Sequence, residues 1–464
     1  VSGWNLRFES GSLVIDGIDQ DLGAELGLES LAVFDERIGL WRAVAFQYRE
    51  LFGELFRQAR QRGVELEDHG RCYEEIAPER RHWRAPRPYQ TEALQAWKTS
   101  GRRGVVVLPT GAGKSHVAHM AMEQVGRSCL IVVPTIDLMH QWYSGFLDSY
   151  TLDEVGLLGG GYHELKPITV TTYDSAAIHM ERYGDRFGLV VFDEVHHLPG
   201  PTYQQAARMM VAPFRLGLTA TPERQDGRHH VLDEVVGPIV YRRDIKDLAG
   251  EFLADYDVER LEVGLTEAEL ARYDEARGTY LSFIRRAGIR FDGPGGWGDF
   301  IKRSSQSADG RAAMRAYREQ KRISLTCEAK LELVERLAAR HADDRMIVFT
   351  ADNETVYALS RQLLLPVITH QTPTKERREV LEEFRSGKYR VVVTSKVLNE
   401  GVDVPEANVA VVLSGSGSVR EHVQRLGRIL RKQGDKRALL YEVITRNTAE
   451  EGTSERRREH DAYR

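Results

Sequence analysis

A chain of 464 residues, 42% hydrophobic and 29% charged, has the composition of a water-soluble globular protein with room for several domains. No apolar run approaches the roughly 20 residues that span a bilayer, and Val1–Phe8 lacks a basic-then-apolar leader, so no membrane is expected and the cytoplasm is the expected compartment. The formal net charge of −5 leaves the partner open, because a protein can confine its basic residues to one face while the rest stays acidic.

Residues 1–84 read as a small α+β module. Short strands are expected at Leu13-Val-Ile15 and Leu31-Ala-Val-Phe34. A helix follows over Tyr48–Arg62, with Leu51, Leu55, Phe56 and Ala59 at helical spacing and Gly63 at its end. Trp4, Phe8 and Trp41 read as the module's core. Pro86 and Pro88 mark a boundary. From Tyr89 to about Tyr241, short apolar runs alternate with helical stretches: Gly104–Leu108, Cys129–Val133, Ile168–Thr171, Leu189–Phe192 and Arg215–Leu218. That alternation describes a parallel, doubly wound sheet.

About Asp255–Arg318 the periodicity is helical, and Asp292-Gly-Pro-Gly-Gly-Trp297 is a strong turn, so two helices would project as an arm. A second series begins near Glu328, with a helix over Ala329–Ala339. Strands are expected at Met346–Thr350, Val391–Thr394, Val409–Leu413 and Ala438–Ile444. The expected fold class is therefore α/β, two successive parallel-sheet domains with an N-terminal module and an inserted helical arm. Cys72, Cys129 and Cys327 have no metal-type spacing, which excludes a four-cysteine cluster; Cys129 lies in an apolar strand and reads as core.

Pro109-Thr-Gly-Ala-Gly-Lys-Ser115 lies between an expected strand and an expected helix, the context a phosphate loop needs. Gly111 and Gly113 allow the tight backbone that aims N–H groups, with that of Thr110, at phosphate oxygens. Lys114 supplies charge to the β/γ-phosphates of ATP, and the Ser115 hydroxyl can ligate Mg²⁺. Leu108 stands where the general pattern has its first glycine. In Leu189–His196 the apolar run ends in Asp193 and Glu194: Asp193 is placed to hold Mg²⁺ with its water shell, and Glu194 to orient or deprotonate the attacking water. His196 would link these to neighbouring polar groups, and His197 reads as a surface residue or one lying behind the site.

Phosphate loop, acidic box and Thr219-Ala-Thr221 together resemble the superfamily 2 helicases. The resemblance implies two RecA-like domains around one ATP, with Thr219, Ala220 and Thr221 coupling hydrolysis to motion. A missing leading glycine is common there, which accounts for Leu108. Arg87-Pro-Tyr-Gln90 is similar to the superfamily's adenine-recognition element, with Gln90 reading the base edge. Pro134-Thr135 and Thr171-Thr172 fall at strand ends that would contact DNA phosphates without reading bases. Val393–Pro405 resembles motif V: Gly401 and Asp403 would face the nucleotide, Thr394 and Ser395 the nucleic acid. Gln424–Arg431 resembles motif VI. Gln424, Arg428 and Arg431 share one helical face, and the two arginines would be fingers for the γ-phosphate.

The order of features is similar to the XPB-type repair helicases, in a short form like the archaeal members. The boundaries expected are 1–84 for a damage-recognition-like module, 85–245 for the first motor domain, 246–320 for linker and thumb-like arm, and 321–464 for the second motor domain. The family's Arg-Glu-Asp triplet is here Arg224-Gln-Asp226, with Arg224 and Asp226 at the DNA; Gln225 removes one negative charge, so strand separation is less supported than hydrolysis. The arm carries Arg285, Arg286, Arg290, Lys302 and Arg303 with Phe291 and Trp297 near its tip, suited to a backbone grip and a stacking wedge. The resemblance implies an ATP- and Mg²⁺-dependent DNA helicase or translocase of 3′ to 5′ polarity in nucleotide excision repair, paired with a repair nuclease. Two rivals stand beside it, a duplex translocase or clamp that does not part strands, and a non-motor damage-binding adaptor.

Overall fold

The computed structural model describes residues 3–151, 155–222, 227–248, 252, 256–291, 296–395, 407–413 and 438–451. These form two compact units, one running to Asp247 and the other beginning at Leu248. No helix among the described residues is long and apolar enough to cross a membrane.

The first unit opens with a five-stranded sheet in the order Val33–Asp35, Leu40–Val44, Ser12–Asp16, Trp4–Glu9, Leu66–His69. All its pairs are antiparallel except the last, where Trp4 lies beside Leu66 in parallel. Trp4 and Trp41 are buried and Phe8 is half-buried against them, so these rings are core. Gly23 is required at its place, because a Cβ there would sit 2.1 Å from the Trp41 ring. The helix Tyr48–Arg62 buries Tyr48, Leu51, Leu55 and Ala59 and ends at Gly63 with φ +66°. Phe56 departs from the expected stripe. It lies one residue past Leu55, about 100° round the helix, is 53% exposed and stacks on Phe52.

Residues 70–87 run as an extended strap over the following domain. Cys72 N donates to Asp185 O, Ile76 N to Gly126 O and Arg81 N to Ser149 O, all at 2.8–3.0 Å. The module also shares its interior with that domain: Val211 belongs to the module's core, and Glu50 pairs with Arg103 at 2.9 Å. The helix Pro88–Thr99 starts where the two prolines signalled a boundary, with Pro88 tolerated in its first turn.

The first large sheet has the order Ile239–Arg242, Arg103–Val107, Phe214–Thr219, Leu189–Asp193, Cys129–Val133, Ile168–Thr172, Val155–Gly159, Tyr162–His163. Every pair is parallel except the last, and the central strands are buried along their whole length because helices cover both faces. Arg215 is the polar exception. Fully buried, it donates to the carbonyls of Ala207, Met210, Ala212 and Val235 at 2.5–3.1 Å, closing the C-terminal ends of two helices onto the strand that carries Thr219. Burial, then the neighbouring charge of Arg103, pushes its pKa well down.

The second unit holds a six-stranded parallel sheet in the order Tyr256–Val263, Ala438–Thr445, Val409–Val412, Met346–Phe349, Val391–Thr394, Val367–Ile368. Tyr256–Val263 corrects the expectation of helix from about Asp255. Asp257, Glu259 and Glu262 are exposed while Val263 is buried, the pattern of a charged edge strand, and its partner strand lies far along the chain. Among the described residues the arm has three helices where two were expected, Glu267–Ala287, Gly296–Gln306 and Ala308–Leu325, packed on Phe283, Ile289, Phe300 and Ala313. Residues 292–295 of the expected turn lie outside the described residues. A hydrogen bond from Ala449 N to Tyr273 Oη ties the arm to the end of the sheet, and a buried Lys330–Glu450 pair at 2.7 Å ties the helix Glu328–Arg340 to the same end.

Candidate nucleotide site and nucleic-acid track

The phosphate loop leaves the C-terminal end of Arg103–Val107, beside the strand ending at Thr219, whose carbonyl accepts from Leu108 N. Gly111 and Gly113 have φ +84° and +78°, which side chains disfavour. A Cβ at Gly113 would also lie 2.5 Å from the Gln90 amide nitrogen. Leu108 has no such φ, so glycine is not needed there; its carbonyl instead receives Lys114 Nζ at 3.4 Å. Lys114 begins the helix Lys114–Val125 and is 9% exposed. The Thr110 hydroxyl is buried with no hydrogen-bond partner. The amides that open the helix lack intrahelical acceptors, as at every helix start. Gln90 is buried, and its side chain braces the loop: Oε1 accepts from Arg87 N at 2.9 Å, and Nε2 donates to the carbonyls of Ala112 and Gly113 at 3.0 and 3.2 Å. Tyr89 Oη donates to the same Ala112 carbonyl at 2.7 Å. Tyr89, next to Gln90 in the same motif, is a second brace of the loop for which the sequence gives no signal of its own.

Asp193 ends the buried strand Leu189–Asp193. Its Oδ2 accepts from Trp142 Nε1 at 2.8 Å, its Oδ1 from Glu194 N at 3.0 Å, and its carbonyl from Tyr173 Oη at 3.0 Å. Glu194 has φ +46°, a left-handed backbone that costs a side chain about 1–2 kcal/mol. Its Oε2 makes no hydrogen bond and lies 3.4 Å from His196 Nδ1. His196 is fully buried, with Nδ1 3.0 Å from Thr219 Oγ1; that hydroxyl accepts from Thr221 N at 3.1 Å and donates to Thr221 O. Glu194, His196, Thr219 and Thr221 thus form one line of polar contacts from the acidic box to the Thr-Ala-Thr segment, with Ala220 between the two threonines. The adjacent register Asp193–Leu218 makes the line possible. His197 packs its ring on His196 and Tyr173.

On the same sheet, Val133 pairs with Thr172, so the helices Ile136–Ser149 and Tyr173–Tyr183 start side by side. Thr135 and Thr172 cap them, accepting from Leu138 N at 3.3 Å and Ser175 N at 3.2 Å. Pro134 and Thr135 are half-buried. Thr171 is fully buried and its hydroxyl donates to Leu158 O at 2.7 Å, so the direct phosphate contact expected of it is not open to that side chain. In the second unit Thr394 and Ser395 are likewise buried, Thr394 Oγ1 donating to Ser395 O at 3.3 Å. On the arm, Arg285 and Arg290 are exposed while Arg286 pairs with Asp309 at 3.4 Å. Phe291 and Trp297 are about half exposed, Trp297 also packing on Tyr317 and Phe300. Arg224, Gln225, Asp226, Gly401, Asp403, Gln424, Arg428 and Arg431 lie outside the described residues.

Family models match three stretches: the Xeroderma pigmentosum group B helicase damage recognition domain over 6–69, the type III restriction enzyme res subunit over 84–224, and the ERCC3/RAD25/XPB C-terminal helicase over 312–461. A protein of Sulfurisphaera tokodaii described as DNA 3′-5′ translocase XPB2 is 44% identical over 80% of this chain and 84% of its own length. One of Kineococcus radiotolerans described as DNA 3′-5′ helicase XPB is 34% identical over 79% of this chain, which spans 61% of that longer protein. The crystal structure of the Pyrococcus furiosus Hef helicase domain aligns with a TM-score of 0.54 at 20% identity, covering 80% of this chain and 97% of that one, a likeness of fold. The architecture is that of tandem RecA-like motor domains, and the chain belongs to the XPB family of superfamily 2 DNA helicases.

Proposed function

We propose that this chain is an ATP- and Mg²⁺-dependent motor that tracks 3′ to 5′ on DNA and opens or remodels it during nucleotide excision repair. The observation that carries the reading is the line Glu194–His196–Thr219–Thr221, which joins the residue nearest the chemistry to a segment two residues beyond the strand end. The site fits a nucleotide and a hard cation: two glycines whose left-handed backbone would strain a side chain, an unpartnered Thr110 hydroxyl, and a Glu194 oxygen without a hydrogen bond.

Lys114 and the amides of Thr110, Gly111, Gly113 and Ser115 would hold phosphate oxygens, with Gln90 at the adenine edge as well as at the loop. Ser115 and Asp193 would hold Mg²⁺, partly through water; bound there, the ion would neutralise charge on the phosphates. Glu194 orients the attacking water and accepts its proton. By family resemblance Gly401 and Asp403 complete the nucleotide site, and Gln424, Arg428 and Arg431 stabilise charge on the γ-phosphate. In the first unit phosphates of DNA would run past Pro134, Thr135 and Thr172; by family resemblance the strand end at Thr394 and Ser395 serves the nucleic acid in the second unit, through backbone since both side chains are buried, with Arg224 and Asp226 at the strand junction and Arg285, Arg286 and Arg290 on the arm. A repair nuclease is the partner we assign, since incision needs a second activity.

A duplex translocase that does not part strands is the second reading, favoured by Gln225 in the triplet. Measuring DNA-stimulated ATPase activity beside forked-duplex unwinding decides between them. We expect hydrolysis stimulated by DNA, with unwinding increased several-fold in Gln225→Glu at unchanged ATPase rate. Triplex displacement without unwinding in both forms establishes the duplex translocase. Hydrolysis indifferent to DNA, with DNA binding intact in Lys114→Ala, establishes a non-motor adaptor.

A further inference from the structure

We propose that Trp142 is a positioning residue that holds the Asp193 carboxylate and connects it to the DNA-facing end of its own helix. Indole Nε1–H can only donate, and a buried donor needs an acceptor. Trp142 is 4% exposed, and its N–H goes to Asp193 Oδ2 at 2.8 Å. Because Glu194 N holds Oδ1 at 3.0 Å, both carboxylate oxygens are fixed from the protein side. Their remaining lone pairs keep one orientation.

The ring also bridges elements. Trp142 is seven residues beyond the cap Thr135, two turns along the helix Ile136–Ser149 and about 10 Å from its start. Its ring packs 5.8 Å from His119, which lies on the helix that opens with Lys114, and His119 stacks flat on Phe146 at 4.6 Å. One side chain therefore touches the helix behind the phosphate loop, belongs to the helix whose first turn faces the proposed track, and donates to the acidic box. A shift of the helix start when phosphate binds reaches Asp193 through this hydrogen bond.

The inference rests on Asp193 as the Mg²⁺ carboxylate, and the test separates the two. Fluorescent mant-ADP binding is measured with Mg²⁺ and with EDTA in the unmodified chain, Trp142→Phe and Asp193→Asn, together with melting temperature and kcat with and without single-stranded DNA. Phenylalanine keeps the ring stack and removes the donor. We expect Trp142→Phe to lose roughly tenfold of the Mg²⁺-dependent gain in affinity, the size of effect seen when a group orienting a metal ligand is removed. Binding in EDTA stays within twofold, and the DNA stimulation of kcat falls more than the rate without DNA. If Asp193→Asn loses the Mg²⁺ gain and Trp142→Phe keeps it, with DNA stimulation within twofold, the inference fails and the site reading stands. If Asp193→Asn keeps the gain, the site reading fails and takes the inference with it. If Trp142→Phe loses EDTA binding and melting temperature together with the gain, the indole is a packing residue and the inference is overturned.

Discussion

The proposed nucleotide half and the proposed nucleic-acid half of the first sheet's edge use the same residue types in opposite ways. Around Lys114 and Asp193, polar atoms are left unspent: Thr110 Oγ1 and Glu194 Oε2 make no hydrogen bond. At the other end of the edge, hydroxyls are consumed by the fold, Thr135 and Thr172 as helix caps and Thr171 in the sheet. What remains there is backbone amide at two adjacent helix starts. A site that makes and breaks bonds needs side chains with free lone pairs, whereas a track that must accept any base sequence is better served by amides that contact only phosphate.

Breaking the first side of the comparison should have the largest effect. Glu194→Gln keeps the volume and the left-handed turn but replaces the carboxylate, whose Oε2 makes no hydrogen bond, with an amide. We expect kcat to fall about 10²–10⁴-fold, the usual contribution of a positioned base, with mant-ADP affinity within a few-fold. DNA-stimulated turnover retained in this variant would remove Glu194 from the chemistry and leave the unspent oxygen without a meaning.

A layer of aromatic rings lies behind the nucleotide half, and it sharpens the contrast by showing what holds the unspent groups in place. Burial lowers the His119 pKa from 6.5 to about 3, so the neutral ring is favoured in the folded chain. A folded pKa below the unfolded one gives stability that is complete above pH 6.5 and is lost as pH falls towards 3. At about 1.4 kcal/mol per pKa unit, the loss approaches roughly 5 kcal/mol. His119→Phe should remove that slope, so denaturant melts of the two proteins should diverge between pH 6.5 and pH 3 and run parallel above it. Equal slopes would mean that the imidazole is reached by water.

Much of the nucleotide half is legible in the sequence because its causes are local. Two glycines three residues or fewer from Lys114 need their φ, and an apolar run that ends in Asp193 declares a strand end. The hydrogen bonds that give these residues their geometry are not local. Trp142 meets Asp193 across 51 positions and His196 meets Thr219 across 23, both through sheet neighbours, and Gln90 reaches Ala112 across 22 from the helix before the strand; no spacing rule encodes them. The same limit hid the edge strand Tyr256–Val263, whose partner is Ala438–Thr445 and which adjoins a stretch of helical periodicity. Thr171 illustrates the reverse error: the motif put it at the right strand end, but only the neighbouring strand shows that Leu158 O has taken its hydroxyl.

The smallest effect tests the track. If Thr135 serves DNA through the helix it caps, Thr135→Ala should cost stability before it costs affinity. Losing the bond from Leu138 N to Thr135 Oγ1 should destabilise by about 0.5–2 kcal/mol, with Thr135→Ser restoring most of it. For a domain of this size that is a fall of roughly 2–4 °C in melting temperature per kcal/mol. Single-stranded DNA affinity at fixed salt should change less than about threefold, because phosphate would be held by amides that the substitution leaves in place. A tenfold loss of affinity at unchanged melting temperature would make the hydroxyl a direct contact. The track would then be built like the nucleotide half, from side chains, and the difference between the two ends of the sheet edge would be one of degree.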